Sequence, residues 1–187
     1  MRPLALYSKS RGIPAALLAL PVVVLAAWSV LHDPWTALSA SLTALAGVLV
    51  VAVGLAGQDP ELDASTAVPW PVWRLGHLPV ATALAAAAVH LVQGFGDAPP
   101  DAAFVLRDAA GMAGLAGLAA TVAGARLAAA GPVLWWAVSA IMPAGESLTW
   151  RIVTWPTGAS DDPVTRWTAA VLFAAGVAAY TVRGGRR

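Results

Sequence analysis

Long apolar runs separated by short polar ones set the pattern of this chain. Six runs predict membrane-spanning helices, at about residues 13–31, 35–56, 78–95, 106–129, 133–146 and 164–182. A helix needs about 20 apolar residues to cross the hydrocarbon core, so the chain has little room for a soluble part. The pattern predicts an all-α integral membrane protein that forms a single transmembrane domain over residues 1–187.

The composition agrees with this prediction. Apolar residues make up 59% of the 187 residues and charged residues only 11%, which lies outside the range of ordinary soluble domains. The sequence contains no cysteine, which excludes disulfides and thiolate metal sites. We expect membrane lipid, and not nucleic acid, as a partner.

One long polar stretch, from Gly57 to Leu78, separates the second run from the third. Within it, Asp59-Pro60-Glu61 is a signal for the start of a helix, because proline and acidic residues suit the first turn. Pro69-Trp70-Pro71 is expected to break that helix. The stretch predicts either a short cytoplasmic helix that docks on a partner or an ordinary interfacial loop, and its residues alone favour neither.

The segment between the fifth and sixth runs is amphipathic. It extends from Glu146 to Pro156 and follows a run that Pro143 shortens. This pattern predicts a re-entrant or interfacial element. Glu146 and Arg151 lie within it, and they either hold the element as an ion pair or line an exit path.

The fourth run has a face of small residues. Its glycines are Gly111, Gly114, Gly117 and Gly124, and alanines lie between them. Small residues allow two helices in a membrane to approach closely. We therefore expect another helix to pack against this face.

Arginine and lysine indicate the orientation, because they concentrate on the cytoplasmic side of membrane proteins. If both termini are cytoplasmic, the inner side collects Arg2, Lys9, Arg11, Arg74, Arg126, Arg183, Arg186 and Arg187. The outer side then holds only Arg107, Arg151 and Arg166. The first run is longer than the apolar part of a signal peptide, so we expect it to be retained as a span.

The sequence carries no motif for the commonest enzymatic chemistries. A Walker A loop needs the pattern G-x-x-x-x-G-K-[ST], and the only lysine, Lys9, has no glycine before it. His32, His77 and His90 are too scattered for a metal site of the H-E-x-x-H kind. The sequence also lacks the G-x-S-x-G pattern of serine hydrolases. We expect neither catalytic residues nor a bound metal.

Polar side chains within the predicted spans are candidate functional residues, because their exposure to lipid is costly. His90 and Gln93 are three residues apart on the third span, so we expect both to face inward. They either contact a polar substrate or gate, or bond to a neighbouring helix, and the second interpretation is favoured. Arg107-Asp108 is either a charge relay or a membrane anchor whose arginine extends to the headgroups, and the anchor is favoured.

The polar stretch between the second and third spans resembles a coupling element. The residues Glu61-Leu62-Asp63-Ala64-Ser65-Thr66-Ala67-Val68-Pro69, followed by Arg74, are similar to the coupling helix in permeases of type-2 ATP-binding cassette (ABC) exporters. The layout is also similar, with six spans, cytoplasmic termini and a re-entrant segment between spans 5 and 6. It departs from the family at Met1 to Gly12, which is shorter than the usual helix before span 1.

The resemblance implies a permease subunit that pairs with a second permease copy or homologue and with two ATP-binding cassette subunits. Those partners would bind ATP and Mg²⁺, so no cofactor and no enzymatic activity are expected in this chain. It implies coupling roles for Glu61, Leu62, Thr66, Val68, Pro69 and Arg74. An amphiphilic or hydrophobic cargo, such as a peptide, an antibiotic or a lipid-like molecule, would leave a bacterial cell across its inner membrane.

The second hypothesis is that the chain does not transport a cargo. The chain would then be a non-catalytic membrane subunit that stabilises or anchors a larger complex. The small-residue face of the fourth span suits this role, as does the expectation that no ion pair is buried at the membrane centre. A neighbouring reading frame with a Walker A motif would favour the exporter.

Overall fold

The computed structural model describes residues 12–31, 35–55, 70–95, 100–143 and 145–185, and these form helices and turns with no strand among them. This confirms the all-helical prediction for the described part of the chain. The α-helices there are α1 (Ile13–Leu31), α2 (Ala37–Val53), α3 (Trp70–Gln93), α4 (Ala102–Val122), α5 (Ala130–Ile141), α6 (Leu148–Val153) and α7 (Pro163–Arg183). Two 3₁₀ turns, Ala125–Leu127 and Trp155–Thr157, lie on either side of α5 and α6.

Three of these helices are long and apolar enough to cross a membrane. They are α1, the part of α3 from Val72 to Gln93, and α4. The helix α2 and the segment Ala125–Ile141 are apolar but shorter. A membrane protein is therefore indicated.

The helix α3 begins at Trp70 and not at Leu78, where the sequence placed its start. Pro71 is in its first turn, where the missing amide N–H of proline breaks no helical hydrogen bond. Pro79 lies inside α3 without ending it. Pro71 is therefore part of α3, whereas the helix that Pro69-Trp70-Pro71 was expected to break lies outside the described residues.

The helix α4 ends at Val122 and not near residue 129. Gly124 has a φ of 107°, which L side chains rarely adopt, and the chain turns there before the 3₁₀ turn. Gly124 therefore ends the helix and does not extend its small-residue face. The next helix, α5, starts at Ala130, earlier than predicted, and its 12 residues cover about 18 Å.

Four of the described helices, α2, α4, α6 and α7, begin with side-chain caps. Thr36 and Ser39 form a capping box at the start of α2, and Asp101 accepts a hydrogen bond of 2.7 Å from the Phe104 amide at the start of α4. Asp162 accepts one of 2.9 Å from the Val164 amide at the start of α7. Each cap satisfies an amide that would otherwise lack a partner in the first turn.

The closest helix packing joins α4 to α7. A Cβ atom built on Gly114 would lie 2.3 Å from the Leu172 carbonyl oxygen, and one built on Gly176 would lie 2.2 Å from the Gly114 carbonyl oxygen. A Cβ atom built on Gly117 would also lie close to this contact, 3.0 Å from the Gly176 carbonyl oxygen. The small-residue face predicted for the fourth span is confirmed at these positions, because only glycine allows the backbones this close.

The helix ends form two layers. In one layer the Tyr180 hydroxyl reaches the Leu55 carbonyl oxygen at 3.4 Å, and Gly185 packs against Ala125. In the other layer the Ser160 hydroxyl donates to the Asp101 carboxylate at 2.5 Å. We call these the inner end and the outer end, after the sides predicted from arginine and lysine.

The short helices α5 and α6 are bonded to each other. The Trp135 indole N–H and the Ser139 hydroxyl of α5 both donate to the Val153 carbonyl oxygen, at 3.1 and 2.7 Å. The Trp155 ring follows and fills the space beside Gly111, where a Cβ atom would lie 2.4 Å from the ring. These contacts bring the chain against α4 before α7 begins.

We predict that Gly114→Ala destabilises the protein by about 1–3 kcal/mol, because the added methyl group meets backbone atoms that cannot move aside cheaply. Thermal unfolding in detergent measures this change. The matched control is Gly76→Ala in α3, where nothing lies within 4 Å of an added Cβ. Equal unfolding midpoints for the two variants would contradict the close packing.

Candidate functional site

The inner end contains the one predicted coupling residue that the structure describes. Arg74, in the second turn of α3, lies against Gly184, where a Cβ atom would be 2.9 Å from the guanidinium carbon. Gly184 caps the end of α7 with a φ of 66°. A cation is favourable at the C-terminal end of a helix, where carbonyl groups lack helical partners. Arg74 thus links the start of α3 to the end of α7.

The other predicted coupling residues, Glu61, Leu62, Thr66, Val68 and Pro69, lie outside the described residues. Their roles stay predictions. The described chain ends at Leu55 before this segment and resumes at Trp70 after it, and both ends are at the inner layer.

His90 and Gln93 of α3, which were both expected to face inward, differ in the structure. Gln93 is fully buried, and neither atom of its amide has a hydrogen-bond partner among the described residues. His90 is exposed, so the expectation that both face inward is wrong for His90. His90 lies in the last turn of α3, where a polar side chain needs no burial to reach the membrane surface.

Arg151 pairs with Asp162 and not with Glu146, which is exposed. Its Nε donates to Asp162 Oδ2 at 3.0 Å, and its Nη2 donates to Asp162 Oδ1. Hydrogen bonding from Arg151 lowers the pKa of Asp162 below its ordinary value. The predicted pair of Arg151 with Glu146 is therefore wrong, and Arg151 instead ties α6 to the N-cap residue of α7.

The most complete polar site lies near the outer end and centres on Arg107 of α4. Its Nη1 donates to the carbonyl oxygens of Gly158 and Ala159, at 2.9 and 2.8 Å, and to Thr165 Oγ1 at 3.2 Å. Its Nη2 also donates to the Pro156 carbonyl oxygen at 3.3 Å. We call Arg107, Asp108, residues 156–159 and Thr165 the outer lock.

Within the outer lock, Arg107 and Asp108 form a buried ion pair. Arg107 is 7% exposed and Asp108 is 0% exposed, and the guanidinium donates to Asp108 Oδ1 from Nε at 3.0 Å and from Nη2 at 2.8 Å. The Phe104 ring covers the other side, with its centre 4.6 Å from the guanidinium carbon. The favoured interpretation of Arg107 as a membrane anchor is wrong, because its side chain points into the protein.

Asp108 depends on Arg107 for its charge compensation. Its second oxygen, Oδ2, has no hydrogen-bond partner in the described part of the chain. The Ser41 hydroxyl of α2 faces the carboxylate without reaching hydrogen-bond geometry. A buried carboxylate is strongly destabilising without its cationic partner. The burial of Asp108 therefore depends on Arg107.

A pocket of about 320 Å³ lies beside the outer lock, between the starts of α2 and α4 and residues 157–159. Trp35 and Phe104 are among its apolar walls, and Asp101 is its charged residue. The hydrogen bond from Ser160 lowers the pKa of Asp101, which stays ionised at neutral pH. Its volume is at the low end for sites that take small organic ligands.

The described residues contain no cluster of three or more histidine, cysteine, aspartate or glutamate side chains that could hold a metal ion. The outer lock joins elements through hydrogen bonds from one cation. Chemically it is suited to fix the position of residues 156–159 against α4.

The sequence contains one signal for the outer lock. Asp101 follows Pro100 and caps α4, which places Arg107 more than one turn inside the helix and not at its boundary. An arginine at that depth is expected to face a protein partner and not lipid. The acceptors are three backbone carbonyls about 50 residues away in the chain, and no sequence pattern indicates them.

No family model, no curated protein and no solved structure matches the chain.

We predict that Arg107→Met destabilises the protein by about 3–5 kcal/mol, because it leaves the Asp108 carboxylate buried without a cation. The double variant Arg107→Met/Asp108→Leu should recover part of this loss, since it removes the unpaired charge as well. Thermal unfolding in detergent measures both.

The matched control for this series is Arg166→Met, which removes an exposed arginine at the same outer end. Its unfolding free energy should change by less than about 0.5 kcal/mol. An Arg107→Met midpoint equal to that of the control, or a double variant less stable than the single one, would rule out the assigned role of the pair.

Proposed function

We propose that the chain is the permease subunit of an ATP-driven exporter in a bacterial cell membrane. Its cargo is amphiphilic or hydrophobic, and ATP is bound and hydrolysed by separate partner subunits. The membrane is crossed six times, by α1, α2, α3, α4, α5 and α7, with both termini in the cytoplasm, and α6 is a re-entrant segment between the last two crossings. A second copy or a homologue completes the transport path.

The contact between Arg74 and Gly184 carries this proposal. The predicted coupling segment, with Glu61 and Thr66, directly precedes α3 in the chain. Arg74 lies in the second turn of α3 and packs on the end of α7. A force applied to the coupling segment by an ATPase would therefore reach two helices together.

The layout of α5 and α6 also supports the proposal. The 12 residues of α5 cover about 18 Å, which is less than the ~30 Å of a hydrocarbon core. Trp135 and Ser139 hold the end of α6 against α5, and Trp155 packs on α4. The helix α6 is thus bonded back against α5, as the resemblance implies for a re-entrant segment between spans 5 and 6.

The proposal predicts that the tagged chain, purified from its native membrane, brings down a subunit that hydrolyses ATP. The chain has no cysteine, so Ala87→Cys on the exposed side of α3 accepts a single fluorescent label. In the reconstituted complex, ATP should change the fluorescence of this label. Glu61→Ala, Thr66→Ala or Arg74→Ala should abolish the change while hydrolysis of ATP continues.

The matched control is Arg126→Ala, which removes an exposed arginine at the same inner end but outside the contact with Gly184. It should leave the response of the label intact. A label that responds equally in Arg74→Ala and in the unmodified complex would contradict the coupling role.

The second candidate function is that of a membrane subunit without transport, which stabilises a larger complex. The outer lock favours it, because Arg107 pins residues 156–159 to α4 through three carbonyl groups. Purification distinguishes the two functions. Partners without any ATP-hydrolysing subunit would support the stabilising subunit and overturn the exporter.

A further inference from the structure

A second feature of the inner half is an apolar groove between α1, α2 and α3. It has a volume of about 520 Å³, and residues from all three helices line it, including Leu17, Leu20, Val51, Val72 and Leu84. Apart from the indole of Trp73 and the imidazole of His77, every lining side chain is aliphatic or is absent at a glycine. We call this the α1–α3 groove.

The α1–α3 groove opens sideways through apolar side chains. On its rim Leu17 is 50% exposed, Val72 66% and Val80 60%. Two of the three helices that form it, α1 and α3, are long and apolar enough to cross a membrane. In water such a patch would be costly to expose, whereas in a bilayer it meets lipid tails. In a bilayer, the groove is therefore surrounded by the hydrocarbon chains of lipids.

Glycine keeps the α1–α3 groove open. A Cβ atom built on Gly76 meets nothing within 4 Å, so the position faces empty space inside the groove. In contrast, a Cβ atom built on Gly114 or Gly176 would lie less than 2.5 Å from backbone atoms of the facing helix. Gly76 thus serves no close helix contact, and its missing side chain contributes to the volume of the groove.

Charge at the inner end favours an anionic headgroup. The described charged side chains there, Arg74, Arg126 and Arg183, are all basic. The predicted inner side as a whole has eight basic residues against Asp59, Glu61 and Asp63. Basic residues next to a membrane attract anionic lipids.

We propose that the α1–α3 groove binds one acyl chain of an anionic phospholipid, whose headgroup lies at the inner end near Trp73. The volume fits a single elongated apolar ligand and lies within the range of ligand pockets, about 300–1,000 Å³. The inference concerns a bound membrane lipid and does not depend on the proposed export function.

The test is native mass spectrometry of the full chain released from nanodiscs that contain equal amounts of phosphatidylglycerol and phosphatidylcholine. The expected spectrum shows one phosphatidylglycerol retained per chain. Gly76→Phe should remove this adduct, because the ring fills the groove from α3. Ala16→Phe, which fills it from the opposite wall on α1, should do the same.

The matched control is Ala87→Phe, on the exposed side of α3 and outside the groove, which should keep the lipid. Thermal unfolding of each variant shows whether it is folded. Retention of phosphatidylglycerol in both groove variants at the level of the control would overturn the proposal. Equal retention of phosphatidylcholine would also overturn it, as would a lipid-free dimer that Gly76→Phe dissociates.

Discussion

The structure depends most on the backbone contact between α4 and α7. At Gly114, Gly117 and Gly176 the two helices approach so closely that any side chain would meet backbone atoms. Between helices in a lipid bilayer, van der Waals packing replaces the hydrophobic effect as the main source of association. A contact this close therefore contributes strongly to holding the two helices together. It fixes α7 beside α4, and both ends of the bundle are then closed by residues that these two helices carry.

Polar contacts at the two ends of the bundle also hold its helices together. At the outer end Arg107 of α4 binds the carbonyl groups of residues 156–159, and Arg151 pairs with Asp162 at the start of α7. At the inner end Arg74 packs on Gly184, at the end of α7. Buried backbone groups in a membrane must be satisfied within the protein. The loop before α7 therefore needs a donor such as Arg107, and the start of α3 is held to the end of α7.

Hydrophobic pattern predicted much of the fold. The helix α1 was expected at residues 13–31 and is found there, and the glycine face of the fourth span meets α7 as expected. The failures have local causes. Hydrophobic periodicity does not show that α3 continues through Pro71 and Pro79, or that Gly124 has a positive φ and ends α4. The candidate site was less predictable, because the acceptors of Arg107 and the partner of Arg151 are distant in the chain.

The proposed topology puts the inner and outer ends on opposite sides of a membrane. The chain has no cysteine, so single cysteines can be introduced at two exposed positions, Arg126→Cys at the inner end and Asp161→Cys at the outer end. In intact cells a membrane-impermeant maleimide should label Asp161→Cys, and should label Arg126→Cys only after the membrane is permeabilised. Labelling of both positions from the same side would contradict the account.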